Sequence, residues 1–292
     1  LQFRASYFKG VAPPQFGYTR GYFPISLSTS EEDIEAGGGR PISRVNAGNP
    51  MLLPTEADNY DASVEWFFAD VGSLTFSLFY KEVKYVTTND VERVAFTNNG
   101  ATFDAIVTTA VNANDTGDIK GFELAYQQQY NFTDGWLGGF GLNANYTYID
   151  SSGVPQSTLS ETDPDVAAGN QTTIDTSLLP LEGLSEHTVN IQPFYEYGRW
   201  SARLAYTWRS EFLLTVRDVI VPYQPIMHDD TGQLDASLFF SINDNLRIGF
   251  QGVNLTQETI RTKAVLNDDL LEAPRSWYIN DRRYSISLRG NF

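Results

Sequence analysis

Apolar and polar side chains alternate along most of this chain with a period of two, and this constrains the fold more than any other feature. Tyr60, Ala62, Val64, Trp66 and Phe68 oppose Asp61, Ser63 and Glu65. Leu74, Phe76, Leu78 and Tyr80 oppose Thr75, Ser77 and Lys81. The same phase returns at Leu1–Tyr7, Phe122–Tyr126, Phe140–Tyr148, Val189–Tyr195, Trp200–Trp208, Leu234–Phe240, Leu246–Phe250 and Tyr284–Leu288. A period of two places alternate side chains on opposite faces of a strand. An antiparallel all-β chain of about ten strands follows, most of them near the 9–11 residues that a tilted strand needs to cross a bilayer.

Connection lengths separate a transmembrane barrel from a soluble sandwich. Short turns fall at 69–73, 133–139, 197–199 and 243–245. Between them lie long polar loops at about 11–57, 84–118, 151–185, 210–232 and 257–275. Short turns on one side and long loops on the other are the signature of an outer-membrane barrel, with the turns periplasmic and the loops extracellular. Aromatic residues gather at both strand ends, Trp66, Phe68, Trp136 and Trp200 at one, Tyr80, Tyr148, Trp208 and Trp277 at the other. Amphipathic rings at two depths match the two interfaces of a bilayer.

Composition agrees with this placement. No apolar run is long enough for a transmembrane helix, and a mean hydropathy of −0.29 is what a wall with only one lipid-facing phase gives. The net charge of −16 argues against a nucleic-acid partner. Cysteine is absent, so disulfides and thiolate metal sites are excluded. The two histidines, His187 and His228, lack ligand or triad spacing, and acidic loop pairs such as Asp229 with Asp230 do not complete a calcium loop. No catalytic residues, metal or cofactor are expected.

Several segments resemble one family. Asn49-Pro50-Met51-Leu52-Leu53-Pro54-Thr55-Glu56-Ala57-Asp58-Asn59-Tyr60-Asp61 with Glu65-Trp66-Phe67-Phe68 resembles the motif before a late barrel strand of TonB-dependent receptors. Ile119-Lys120-Gly121-Phe122-Glu123-Leu124, Gly252-Val253-Asn254-Leu255-Thr256 and the closing run from Arg282 to Phe292 resemble later family segments, in family order. The resemblance implies a barrel of about 22 strands around an N-terminal plug. Residues 1–292 are then the C-terminal part, about its last ten strands, and the plug lies outside this chain. It further implies an outer-membrane receptor that imports a scarce nutrient with energy from the TonB complex, which the plug engages. Outer-membrane lipid, the barrel-assembly machinery and a small-molecule or oligosaccharide ligand are the other implied partners.

The motif wording looks most like the saccharide branch, with an iron–siderophore receptor second. A passive porin, or a complete small barrel acting as an adhesin, is the alternative from another class. Candidate ligand contacts on the loops are Tyr18, Tyr22, Phe23 and Tyr223, which can stack, and Asp229 and Asp230, which can hydrogen-bond. Tyr284, Ile286, Leu288 and the terminal Phe292 form the expected assembly signal, with a periplasmic C-terminus. Ten charges, Arg4, Glu65, Lys81, Glu123, Arg203, Arg209, Asp235, Arg247, Arg283 and Arg289, fall on the polar phase and are expected to face the interior.

Overall fold

A computed structural model describes residues 1–21, 25–27, 43–98, 100–131, 133–156, 174–218 and 224–291. Its strands, in chain order, begin with β1 (Gln2–Ala12), β2 (Ile25–Leu27), β3 (Ser43–Ala47), β4 (Thr55–Ala69), β5 (Gly72–Lys84) and β6 (Thr87–Asn98). Next come β7 (Ala101–Asn112), β8 (Gly117–Gln129), β9 (Phe140–Ser152), β10 (His187–Tyr197), β11 (Trp200–Arg209) and β12 (Phe212–Thr215). The last are β13 (Ile226–His228), β14 (Thr231–Ser241), β15 (Leu246–Val253), β16 (Thr259–Val265), β17 (Glu272–Ile279) and β18 (Arg283–Gly290).

Ten of them form one antiparallel sheet in the order β1-β4-β5-β8-β9-β10-β11-β14-β15-β18. Every strand predicted from alternation is in this sheet. The pairing keeps the two phases apart from edge to edge. Phe3 faces Val64, then Phe76, Leu124, Tyr146, Val189 and Trp208 in register. Lower down, Tyr195, Ala202, Leu238, Phe250 and Ile286 make another continuous apolar row.

The molecule is built inside out. Among the described residues, no fully buried apolar side chain belongs to the ten-stranded sheet. Its apolar residues are instead exposed on one face, as Leu78, Leu204, Leu238 and Phe250 are. Water would penalise such a face heavily, whereas lipid hydrocarbon accepts it.

The apolar face also records how the strands lie in the membrane. On β1, β4 and β5 it ends upward at Tyr7, Tyr60 and Tyr80, which share one register row. On β8 and β9 that row is already charged, Lys120 and Asp150, and by β18 the last apolar residue is Tyr284, opposite Gly252. From β1 to β18 the boundary has moved by about eight residues along the strands. At about 3.3 Å per residue and 4.8 Å per strand this is a tilt of roughly 30°, near the 35–45° of transmembrane barrels.

The loops hold what sequence reading missed. Two four-stranded sheets, β2-β3-β7-β6 and β12-β13-β16-β17, stand on the long-loop side. The β6–β7 hairpin falls inside the expected long loop at 84–118, and β12 with β13 inside that at 210–232. Small cores hold these sheets. One includes Val45, Val91, Ala105 and Ile106, and the other comprises Leu179, Leu213, Val216, Met227 and Val265. The β-branched run Ile106-Val107-Thr108-Thr109 was the available signal. Among the described residues, no helix is long and apolar enough to cross a membrane.

Candidate functional site

The inner wall and the crown of loops above it are the two surfaces a passing solute would meet. All ten predicted interior charges lie on the face opposite the apolar phase, because each is one residue out of step with a lipid-facing neighbour. Arg4 on β1 pairs with Glu65 on β4. A concavity of about 1000 Å³ opens on this part of the wall, with Arg4, Asp61, Lys81 and Glu123 among its lining and Leu181 and Leu184 reaching over it.

Leu181 and Leu184 belong to residues 174–186, which run as a strap from β9 toward β10. The strap is tied on both sides. Gln156 donates Nε2 to the Pro180 carbonyl at 2.7 Å, and its Oε1 accepts from the Glu182 amide at 2.7 Å. Arg209 donates from Nε to Ser185 Oγ at 2.7 Å and from Nη2 to the Gly183 carbonyl at 2.8 Å, while its guanidinium lies 3.7 Å from the Phe212 ring centre. Leu179 enters the crown core. Sequence reading passed over this strap, although the cluster Leu178, Leu179, Leu181 and Leu184 in an otherwise polar loop was a usable sign.

In the crown, Lys263 on β16 reaches three carboxylates, Glu211 at 2.7 Å, Asp229 at 3.0 Å and Glu272 at 3.1 Å. Partial burial opposes its charge, but hydrogen bonds to the three acids outweigh that and hold its pKa above the ordinary lysine range. Arg275 pairs with Asp218 at 2.6 Å, which ties β17 to the segment after β12.

The candidate ligand contacts are not gathered in one place. Tyr18 sits on a 3-10 turn, Phe16–Thr19, half exposed at the edge of a hollow of about 350 Å³ that Asn46, Asn89 and Thr108 also line. Asp229 is engaged by Lys263, and Asp230 accepts a 3.0 Å hydrogen bond from the Trp208 indole. Tyr22, Phe23 and Tyr223 lie outside the described residues. His187 is stacked on Tyr146 and bonded to its hydroxyl at 2.7 Å, and His228 is stacked on Phe212. Tyr284, Ile286 and Leu288 lie on β18, which pairs with β15 alone among the described residues, each about 70% exposed, and Phe292 lies outside the described residues.

Comparison with known proteins adds a family to this geometry. A family model described as TonB dependent receptor-like, beta-barrel, matches residues 1–255. A probable TonB-dependent siderophore receptor, PiuA of Acinetobacter baumannii, is 28% identical over 131 residues, 44% of this chain and 15% of that receptor. The crystal structure of the siderophore receptor PirA from Acinetobacter baumannii superposes with a TM-score of 0.60 at 14% identity, covering 99% of this chain and 39% of PirA. The ferric enterobactin receptor PfeA from Pseudomonas aeruginosa, solved as a mutant with enterobactin, gives 0.64 at 14% identity over 99% of this chain and 38% of its own. At such identity the solved structures speak for the fold alone. The chain spans less than half the length of each. These relatives are siderophore receptors, so the saccharide branch finds no support among them.

Proposed function

The chain belongs to the TonB-dependent receptor β-barrel family, a family of outer-membrane receptors rather than enzymes, and from this premise we propose that residues 1–292 are the C-terminal wall of a receptor that imports a ferric siderophore. The observation that carries this reading is the inside-out ten-stranded sheet. It has a lipid-facing phase and a charged inner phase, and the chain shares its fold with solved receptor barrels over 99% of its length. The named relatives turn the expected cargo from a saccharide to an iron chelate.

In this reading the long loops and their two small sheets face outward and meet the ligand first, with Tyr18 at the rim as a stacking contact. Asp229 and Asp230, both engaged within the crown, serve as its framework. A plug encoded upstream closes the interior, and TonB acts on that plug. The edge strand β18, with Tyr284, Ile286, Leu288 and Phe292, faces the barrel-assembly machinery, and the C-terminus is periplasmic. None of these steps makes or breaks a covalent bond.

The test is uptake of iron-labelled chelates by iron-starved cells that carry the full-length receptor as their single outer-membrane iron route. Accumulation that stops when the proton-motive force is collapsed, or when TonB is deleted, is the expected result. Energy-independent entry, or conductance of the purified receptor in a planar bilayer, would replace this reading with a passive porin. Growth on an oligosaccharide in place of iron acquisition would restore the saccharide branch.

A further inference from the structure

The chain carries a net charge of −16, yet one sector of its inner wall is basic. On β11, β15 and β18 the inner phase holds Arg203, Arg247, Arg283 and Arg289, and β14 between them adds a single carboxylate, Asp235. That carboxylate is engaged: Asp235 Oδ1 accepts from Gln233 Nε2 at 2.9 Å and from the Asn254 amide at 2.9 Å. None of the four arginines has an ion-pair partner among the described residues.

Their spacing is as informative as their number. Arg247 and Arg289 are directly opposed across β15 and β18, and like charges in that position repel. Arg247 lies 4.5 Å from the Phe239 ring centre, so an aromatic face stands where an acid would be expected. The pair adjoins the short turn between β14 and β15, Arg203 faces Ser237 at mid-wall, and Arg283 faces Val253 beside the long loop. The stripe therefore runs the height of the wall. Beside it, β9 and β10 present the uncharged Asn143, Asn145, Asn190 and Gln192, with one carboxylate, Glu196, opposite Ser201 near the short turn. Arginines thus outnumber carboxylates on this part of the inner phase, the reverse of the chain as a whole, where acids outnumber bases 36 to 20.

A guanidinium is weakly hydrated and offers a fixed fork of donors, so it exchanges water readily for an oxyanion. Spaced along a wall, such groups bind strongly enough to admit an anion and weakly enough at each site to release it. We propose that this arginine stripe is the path along which a multiply charged anionic solute crosses the barrel. The inference rests on the siderophore reading and narrows it, since it requires a chelate of negative net charge.

The experiment compares the full-length receptor with its Arg203→Gln/Arg247→Gln/Arg289→Gln variant and the corresponding triple Lys variant. The probes are a ferric tris-catecholate, a trianion, and a neutral ferric tris-hydroxamate. Losing a charge-assisted contact at the limiting step should lower trianion uptake on the order of tenfold. Its binding at the cell surface should stay within about twofold, and the Lys variant should recover uptake. Unchanged uptake in the Gln variant overturns the path. So does a joint fall of uptake, binding and thermal stability, which marks an acidic protein segment seated on the stripe. A wild-type receptor that imports only the neutral chelate keeps the siderophore reading and overturns the stripe. Import of neither chelate overturns both.

Discussion

The ring of Phe194 on β10 lies over Gly141, its register partner on β9, so that a Cβ added at Gly141 would meet the Phe194 Cζ at 2.1 Å. The same device recurs twice on the inner wall. Phe79 covers its partner Gly121, with Cζ 2.7 Å from the added Cβ, and Phe239 covers Gly249 at 2.5 Å. A glycine in a strand has no side chain to pack, and a cross-strand aromatic shields its backbone. In each pair the aromatic sits on the otherwise polar phase, where lipid contact offers no explanation.

Gly141→Ala is therefore expected to displace the Phe194 ring and cost about 1–3 kcal/mol. The fall should appear in denaturant unfolding of the full-length receptor in lipid. Phe194→Ala in the same chain should return part of it, because the added methyl then occupies vacated space. An additive loss in the double variant would show that the ring and the glycine do not interact.

Neighbouring positions on β9 should respond in opposite ways to a charge. Ala144 shares the lipid phase with Ile191, and Asn145, one residue on, faces Asn190 inside. Ala144→Arg should destabilise the barrel by about 2–4 kcal/mol, the cost of a cation near mid-bilayer, and Asn145→Arg by far less. Equal losses in a lipid-reconstituted unfolding assay would reverse the assignment of faces.

Strand tilt gives a prediction within a single register row. Ala62, Leu78, Phe122, Tyr148 and His187 follow one another across five strands. With a tilt of roughly 30°, a cysteine at Ala62 lies in hydrocarbon while one at His187 reaches the aqueous rim. A membrane-impermeant maleimide should label His187→Cys on intact cells and leave Ala62→Cys unreacted. Uniform labelling along the row would mean upright strands.

The Lys263 cluster sets a pH signature for the crown. Its folded pKa stands above the ordinary value, so the stabilisation is complete below about pH 10.4, the unfolded lysine value, and fades only as pH rises through the higher folded one. Lys263→Gln should loosen β12, β13, β16 and β17 by on the order of 1 kcal/mol, read as faster proteolysis of the crown. The gap between wild type and variant should be flat from neutral pH to about 10. A gap that closes in mildly alkaline buffer would point to some other group.

Alternation by itself determined the wall. Once side chains such as Phe76 and Ser77 are assigned to opposite faces, the period of two carries the choice of lipid or interior through every strand, and the turn lengths decide which strands are neighbours. The ten strands, the interior charges and the aromatic ends were legible for that reason. The crown was decided by tertiary structure. Leu179, Leu213, Val216, Met227 and Val265 come from three loops and acquire a common core only when those loops meet, and no local period announces contacts over such separations. The same holds for Lys263, which gathers Glu211, Asp229 and Glu272 from distant segments. Local sequence fixes which way a side chain points, and chain closure above the membrane fixes what it meets there.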